Sequence, residues 1–445
     1  MKKIKNLPES SFLKLFFGFI VLCFLAASVC MPDRSTLFQG LWKILSSPCK
    51  VSTNYFAVGG YAATFLNMGM VGLCCLVLFL LPGAVANNVS TLAFLLTVGF
   101  GSWGINILNI WPTILGVVLY CLVKKEKISA NVNAMLFSTG IAPLITDLLI
   151  RYPHADVVGF HLSGVGLALV VGLAIGFFLP AGLAHSPKVH KGFDLYSAAL
   201  PIGMTAFFLQ ATLFKTMGVA LPAAPGADTL QVASRMTVNI FCCTVFGLCI
   251  LFAFLLGCKS RDYWNLLKDP ALVTNFSSAY GTHVFLMNVG VYGLFILGYY
   301  NLIGATFNGV TFGVIFCMLA CCNSGSHPAN VWPIMLGYVV ASVLFGWLSA
   351  LAGGTFTGAI NAQAIVVGLC YANGLSPISD KYGWRYGFLA AIMHYLLVTS
   401  VPSLHGGYCL YNGGFTAALI CVILVPQLER LLRTKQERRE AKLHK

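Results

Sequence analysis

Charge is what this chain has least of. Only 9% of its 445 residues are Asp, Glu, Lys or Arg, and 13 of those are acidic. So little charge excludes a solvated, disordered polyelectrolyte and leaves too little polar surface to keep a soluble fold of this size in water. Metal-ligand spacing is missing as well, and there is no CxxC pair. Sixteen Cys residues sit mostly inside apolar runs, among them Cys74-Cys75, Cys242-Cys243 and Cys321-Cys322. They read as small apolar packers and not as a disulfide frame. There is no nucleophile motif and no phosphate-binding glycine loop, so an enzyme is not expected, nor any metal or cofactor. Long polar linkers and soluble domains are absent too.

What is present is apolar length. Hydrophobic residues make up 58% of the chain, mean hydropathy is +0.84, and Gly reaches 45. A lipid bilayer accommodates such surface in spans of about 20 residues, and Gly suits close helix packing there. The net charge of +14 has two readings, nucleic acid or the cytoplasmic rim of a membrane protein. The basic residues gather at loop ends and in the tail from Arg430 to Lys445. The second reading follows: a lipid bilayer as partner, and no nucleic acid.

The chain also carries itself twice. Thr53 to Gly116 aligns with Thr274 to Gly337 at a constant shift of 221, nineteen of the 64 pairs being identical. Asn67 meets Asn288, Gly69 meets Gly290 and Asn87 meets Asn308. The stretch Asn109-Ile-Trp111-Pro112 meets Asn330-Val-Trp332-Pro333. Trp42 to Pro48 matches Trp264 to Pro270 at 222, and His190 to Tyr196 matches His405 to Tyr411 at 215. In membrane proteins such repeats commonly enclose a transport site where the halves meet.

Seven apolar segments are predicted per half, near 12–30, 56–82, 88–103, 109–123, 128–145, 157–184 and 192–213, then 236–257, 276–300, 305–322, 330–349, 356–373, 385–402 and 410–428. Short amphipathic stretches, Thr36 to Ser46 and Arg261 to Lys268, follow the first segment of each half. The expected fold is all-α: a polytopic transmembrane bundle of two inverted repeats, segments three and four being readable as broken or re-entrant helices. The expected organisation is a first repeat 1–215, an external linker 216–235, a second repeat 236–430 and a basic cytoplasmic tail 431–445. The start resembles a signal peptide, but its counterpart 236–257 lies mid-chain, so it is read as a retained span. With seven crossings per half and the N-terminus inside, 21 of 27 Lys and Arg fall inside. The outside holds Arg34, Lys43, Lys50, Arg151, Lys215 and Arg235. That bias predicts a membrane protein with both termini cytoplasmic. Basic loops of one half face neutral loops of the other, as around Lys124 to Lys127 against Trp347 to Thr355, which an inverted repeat requires.

Polar residues inside apolar runs are the candidate site. The junctions Gly99 to Pro112 and Cys321 to Pro333 combine Gly, Asn, Trp and Pro between runs too short to span. Asn67, Asn109, Asn288 and Asn330 are candidate path residues, with Trp111 and Trp332 setting the width and His327 as an asymmetric polar addition. The competing reading is a capped turn or an interhelical hydrogen bond. His190 with Tyr196, and His405 with Tyr411, are a further pair able to orient a solute or relay protons; the plain alternative is loop chemistry. Asp194 has Cys409 as counterpart and is a possible coupling carboxyl, or a segment cap. Asp147 and Asp380 follow matched Gly-x-x-Pro turns and are expected in solvated turns. His161, His283 and His394 read as packing residues.

Gly325-Ser-His327-Pro328-Ala-Asn330-Val-Trp332-Pro333 and His405-Gly-Gly-Tyr-Cys-Leu-Tyr411-Asn412-Gly-Gly-Phe415 resemble an uncharacterised bacterial multi-pass family built from duplicated halves, a likeness that spans the chain and implies no substrate. Tyr411-Asn412-Gly413 and the Asn67 and Asn288 stretches are also loosely similar to the urea-transporter class, whose halves are inverted. Pro is absent after both Asn residues, so that likeness implies architecture and no urea specificity. The expectation is a transporter or channel for a small polar, uncharged solute, a homo-oligomer being open. The alternatives are a proton- or ion-coupled carrier using Asp194, a membrane-embedded enzyme, and a scaffold or sensor.

Overall fold

The structure is a computed structural model that describes residues 7–154, 157–269 and 274–432. The basic tail beyond 432, Lys2, Lys3 and Lys5, and Pro270 of the Trp264 match lie outside the described residues. Within them the chain is helical, and the principal helices pair off between the halves. The first half holds α1 (Glu9–Cys30), α2 (Leu37–Ser46), α3 (Tyr61–Phe79), α4 (Asn88–Phe100), α5 (Trp111–Lys124), α6 (Val132–Ile150, kinked at Thr139–Ile141), α7 (Leu162–Val189) and α8 (Ala199–Gln210). The second holds α9 (Arg235–Leu255), α10 (Ser260–Leu266), α11 (Thr282–Leu302), α12 (Gly309–Leu319), α13 (Pro328–Leu351), α14 (363–382, kinked at Asn373–Leu375), α15 (Trp384–Val398) and α16 (Asn412–Leu431). All fourteen expected segments and both amphipathic stretches are present. Eight helices among the described residues are long and apolar enough to cross a membrane. The protein is a polytopic membrane protein.

Local chemistry explains why the same residues recur. Gly60 and Gly281 open α3 and α11 with φ of 87° and 88°, a left-handed setting that favours glycine. Asn87 and Asn308 cap α4 and α12, accepting from the Ser90 and Thr311 amides. With 13 and 11 residues, those two helices are roughly 20 Å long or less, too short to span alone. They form the centre of the molecule, buried almost end to end. They touch backbone to backbone: a Cβ on Gly313 would lie 2.2 Å from the Gly99 carbonyl oxygen.

The halves are inverted. The start of each central helix meets the end of the other, Ser102 Oγ donating to Gly309 O at 2.7 Å and Asn323 Nδ2 to Thr91 Oγ1 at 3.2 Å. Equivalent helices therefore run antiparallel. The equivalent residues Asn54 and Asn275 lie at opposite ends of the bundle. Asn54 donates to Thr229 O and Val232 O of the connection between halves, both at 2.8 Å, whereas Asn275 donates to Glu9 at the start of α1 at 2.8 Å. The halves also grip each other reciprocally. Leu195 N–H donates to Gly374 O at 3.0 Å, and its counterpart Leu410 N–H donates to Gly140 O at 2.9 Å. Within each half α1 packs on α3 and α5 on α7, repeated as α9 on α11 and α13 on α15. One difference is that α13 is a full-length helix of 24 residues where its partner α5 has 14.

Candidate functional site

The symmetric amides hold the broken helices together. Asn67 donates both amide hydrogens, to Gly101 O at 2.7 Å and Ile105 O at 2.8 Å. Asn288 does the same 221 residues on, to Cys322 O and Ser326 O at 2.8 and 3.0 Å. Asn109 donates to Gly104 O and Thr146 Oγ1, and Asn330 to Gly325 O and Asp380 Oδ2. A helix that stops inside a membrane leaves carbonyls without partners, and a buried amide restores them. All four Asn side chains are buried with both donors spent. That is the capping role, and it leaves them no hydrogen to offer a passing solute.

Other sequence candidates scatter. Trp111 and Trp332 are each 40% exposed on the outside of the bundle, the latter stacked on Trp384, so neither sets a width. Trp111 opens α5, and Trp332 is the fifth residue of α13. His327 is buried with neither ring nitrogen partnered, and it is not one of the residues that line the Asp194 cavity. His405 Nδ1 is 2.5 Å from Asn412 Oδ1. Tyr196 donates to Cys317 O and Cys370 O, while the Tyr411 hydroxyl, its counterpart, is buried without a partner. Asp147 and Asp380 are not in solvated turns. Both are buried, and Asp380 corresponds to Thr146: each accepts from the Asn of its own hairpin. His394 is a satisfied packing residue, between Tyr338 Oη at 2.6 Å and Gly413 O at 2.8 Å.

Two candidates come together at one cavity. It measures about 480 Å³ and lies between the start of α4, the start of α6, the end of α7 and the 190–198 connection. Asp194, His190, Asn133, Asn88 and Ser197 line it from the first half, and Ser324 from the second. The Asp194 amide donates to His190 Nδ1 at 3.3 Å, which leaves the ring proton on Nε2, 2.8 Å from Ser197 Oγ. Burial pushes His190 down to about 4, so the ring is neutral. Asp194 Oδ1 accepts from the Tyr196 amide at 2.9 Å, and Oδ2 has no partner. Burial pushes this carboxyl up to about 8, the Tyr196 amide opposing. Asn133 Oδ1, on the same wall, is also unpartnered.

The family described as "Protein of unknown function (DUF1576)" matches residues 33–215 and 259–430, one stretch in each half and most of the chain together. The chain belongs to this family. Comparison with curated proteins and with solved structures finds no match. The family description names no activity, so function rests on the geometry.

A second polar cluster of this DUF1576 chain lies at the opposite face. Sequence reasoning placed Lys50 and Arg151 there without a role. Arg151 pairs with Asp147, and Tyr408 Oη donates to Asp147 Oδ2 at 2.7 Å. Lys50 Nζ donates to Pro222 O at 2.5 Å and Gly406 O at 3.1 Å and lies 4.8 Å from the Tyr408 ring centre. These residues come from the 47–54 connection, α6, the linker and the α15–α16 connection. Their separation in sequence hid them, since no local spacing links them. Asn133 and Ser324 were missed for the same reason, although Ser324 aligns with Trp103, a mismatch of size visible in the repeat.

Proposed function

We propose that the protein carries a small polar solute, uncharged when bound, across the bilayer, with the Asp194 cavity as its binding site on one face. The observation that supports this is a buried carboxyl, one of its oxygens unpartnered, on a residue that lines a cavity of about 480 Å³ at the seam of two inverted halves. An unpartnered polar atom in an apolar wall is costly, and a solute that supplies the missing hydrogen bond recovers that cost. Asn133 Oδ1, as placed, calls for a donor; neutral Asp194 offers a hydroxyl. The solute therefore carries both a donor and an acceptor, as small amides and polyols do. Inverted halves provide the usual means of exposing one site to either side in turn. The Phe137 ring lines the cavity and meets Tyr411 edge-on at 6.5 Å, with Phe100 against the same tyrosine at 5.3 Å.

Proton coupling is the second reading. It is favoured by a lone carboxyl whose counterpart is Cys409, which makes the two halves chemically unequal at the site. In this reading the side bearing the cavity is cytoplasmic, with both chain termini. The test is flux from proteoliposomes holding the full chain, with glycerol, urea, acetamide and neutral amino acids as probes. Flux of at least one probe that falls about tenfold or more in Asp194→Asn and in Ser324→Trp is expected. Flux no greater than in empty vesicles, or unchanged in both variants, overturns the proposal.

A further inference from the structure

The opposite face of the bundle carries a second cavity, of about 360 Å³. Its walls include Lys50, Thr53 and Asn54 after α2, Arg151 at the end of α6, and Ala223, Ala224, Pro225 and Thr229 of the linker between the halves. Both cations are nearly buried, at 5% and 9% exposure. The charged groups gathered here are Lys50, Arg151 and Asp147; the linker's Asp228 is exposed to the outside. Asp147 is bound on one oxygen by Arg151 and on the other by Tyr408. Two buried cations thus share one carboxylate that is already occupied on both oxygens, and one positive charge stays uncompensated. A buried charge of this kind is expensive unless something pairs with it. Among the described residues two carbonyl oxygens accept from the Lys50 ammonium, which has three hydrogens to donate, and the Tyr408 ring lies 4.8 Å away.

We propose that this cavity binds a small oxyanion, a carboxylate or a phosphate, between Lys50 and Arg151. The anion supplies the missing charge and takes the third Lys50 hydrogen, with the Arg151 N–H groups beyond the Asp147 bond as its second contact. Among the described residues the second half does not repeat the site. At the equivalent positions of the second half, Lys381 stands where Asp147 stands, 5.0 Å from the Phe193 ring centre, and Arg385 is exposed against Trp384. Binding here stands whether or not a solute crosses at Asp194. The linker also roofs the site: Lys50 holds Pro222 O, Asn54 holds Thr229 O and Val232 O, and Asn308 holds Leu230 O at 2.8 Å. An anion that drew Lys50 towards Arg151 would loosen the first of these ties.

The experiment is calorimetric titration of the purified full chain with acetate, succinate and inorganic phosphate at constant ionic strength, glycerol serving as the uncharged control. Saturable binding of one or more of the anions, weakened at least tenfold in Lys50→Gln and largely kept in Lys50→Arg, is expected. Lys215→Gln removes an exposed cation from the same face and should leave binding as it was. Acetate and succinate against phosphate separates the two anion classes. No saturable binding of any of the three, or equal binding by Lys50→Gln, overturns the proposal. A flux assay that fails at the Asp194 cavity leaves this titration unaffected, so the two proposals fail separately.

Discussion

Ser324 stands where Trp103 stands in the other half, 221 residues apart, and the difference in size decides where the protein is hollow. Trp103 is fully buried, and its ring fills the space beside Gly313, whose added Cβ would lie 2.7 Å from Trp103 Cδ1. At the mirrored place Ser324 and Leu92 border the 480 Å³ cavity. The backbone symmetry is kept, while the Trp103 ring fills one side and Ser324 borders a cavity on the other.

Filling that space should therefore silence the site without unfolding the chain. Ser324→Trp is expected to abolish flux of any solute the wild type carries, with a melting temperature within a few degrees of wild type. A folded Ser324→Trp protein that still transports at full rate would show that the cavity is not on the route.

Asp194 gives a pH signature. Its folded value of about 8 lies above the ordinary carboxyl value of 3.8, so the folded state holds a proton that the unfolded chain releases. Its contribution is complete below pH 4, and stability falls as pH rises from 4 to 8, by at most about 1.4 kcal/mol per pH unit. Asp194→Asn lacks this loss. Melting curves of the two proteins should coincide near pH 4 and diverge towards pH 8, the variant being the more stable. Parallel curves across that range would contradict the assignment.

Asn67 and Asn288 should behave as braces. Replacing either by Leu strands two carbonyls, at about 1–3 kcal/mol each. A loss of roughly 2–5 kcal/mol in denaturant unfolding is expected for either variant, with solute preference unchanged in whatever protein remains folded. A variant of wild-type stability and altered preference would return these residues to the path.

Lys50 should make anion binding alkaline-sensitive. Burial pushes its ammonium down to about 8, with Asp147 opposing and Arg151 reinforcing; Tyr408 and Cys49 are the other titratable neighbours, both pushed above their usual values. The cation is present below that pH and lost above it. Succinate affinity measured from pH 6 to 10 should be flat at first and then fall about tenfold per unit above 8, the bound anion moving the break somewhat upward. Affinity that rises with pH would exclude Lys50 as the contact.

Inversion has a direct chemical test. Lys125 follows α5 and Gly353 follows α13, which are equivalent helices. With the exposed Cys30 and Cys243 replaced by Ser, Lys125→Cys and Gly353→Cys should react with an impermeant maleimide from opposite sides of the membrane. Labelling from one side only would mean that the halves run in the same direction.

By itself the sequence determined the membrane class, the repeat and the helical segments. Those follow from apolar run length and from residues such as Gly60, Asn87 and Pro112, whose effects are local to a turn or a helix end. It also made the inversion legible, because Lys and Arg mark one side of a bilayer whatever the packing. Tertiary structure alone decided what the polar residues do. Asn67 and Asn330 look like lining until the carbonyls they serve are placed beside them, 34 residues away for Gly101 and 5 for Gly325. Asp380 was paired with Asp147 by its turn, yet its contact with Asn330 makes it the partner of Thr146. The Lys50–Arg151–Tyr408 cluster joins four stretches of chain that no spacing connects. Hydrogen bonds and buried charges depend on which groups meet in space, and in a bundle closed by two interlocked halves that meeting is set by packing and not by order along the chain.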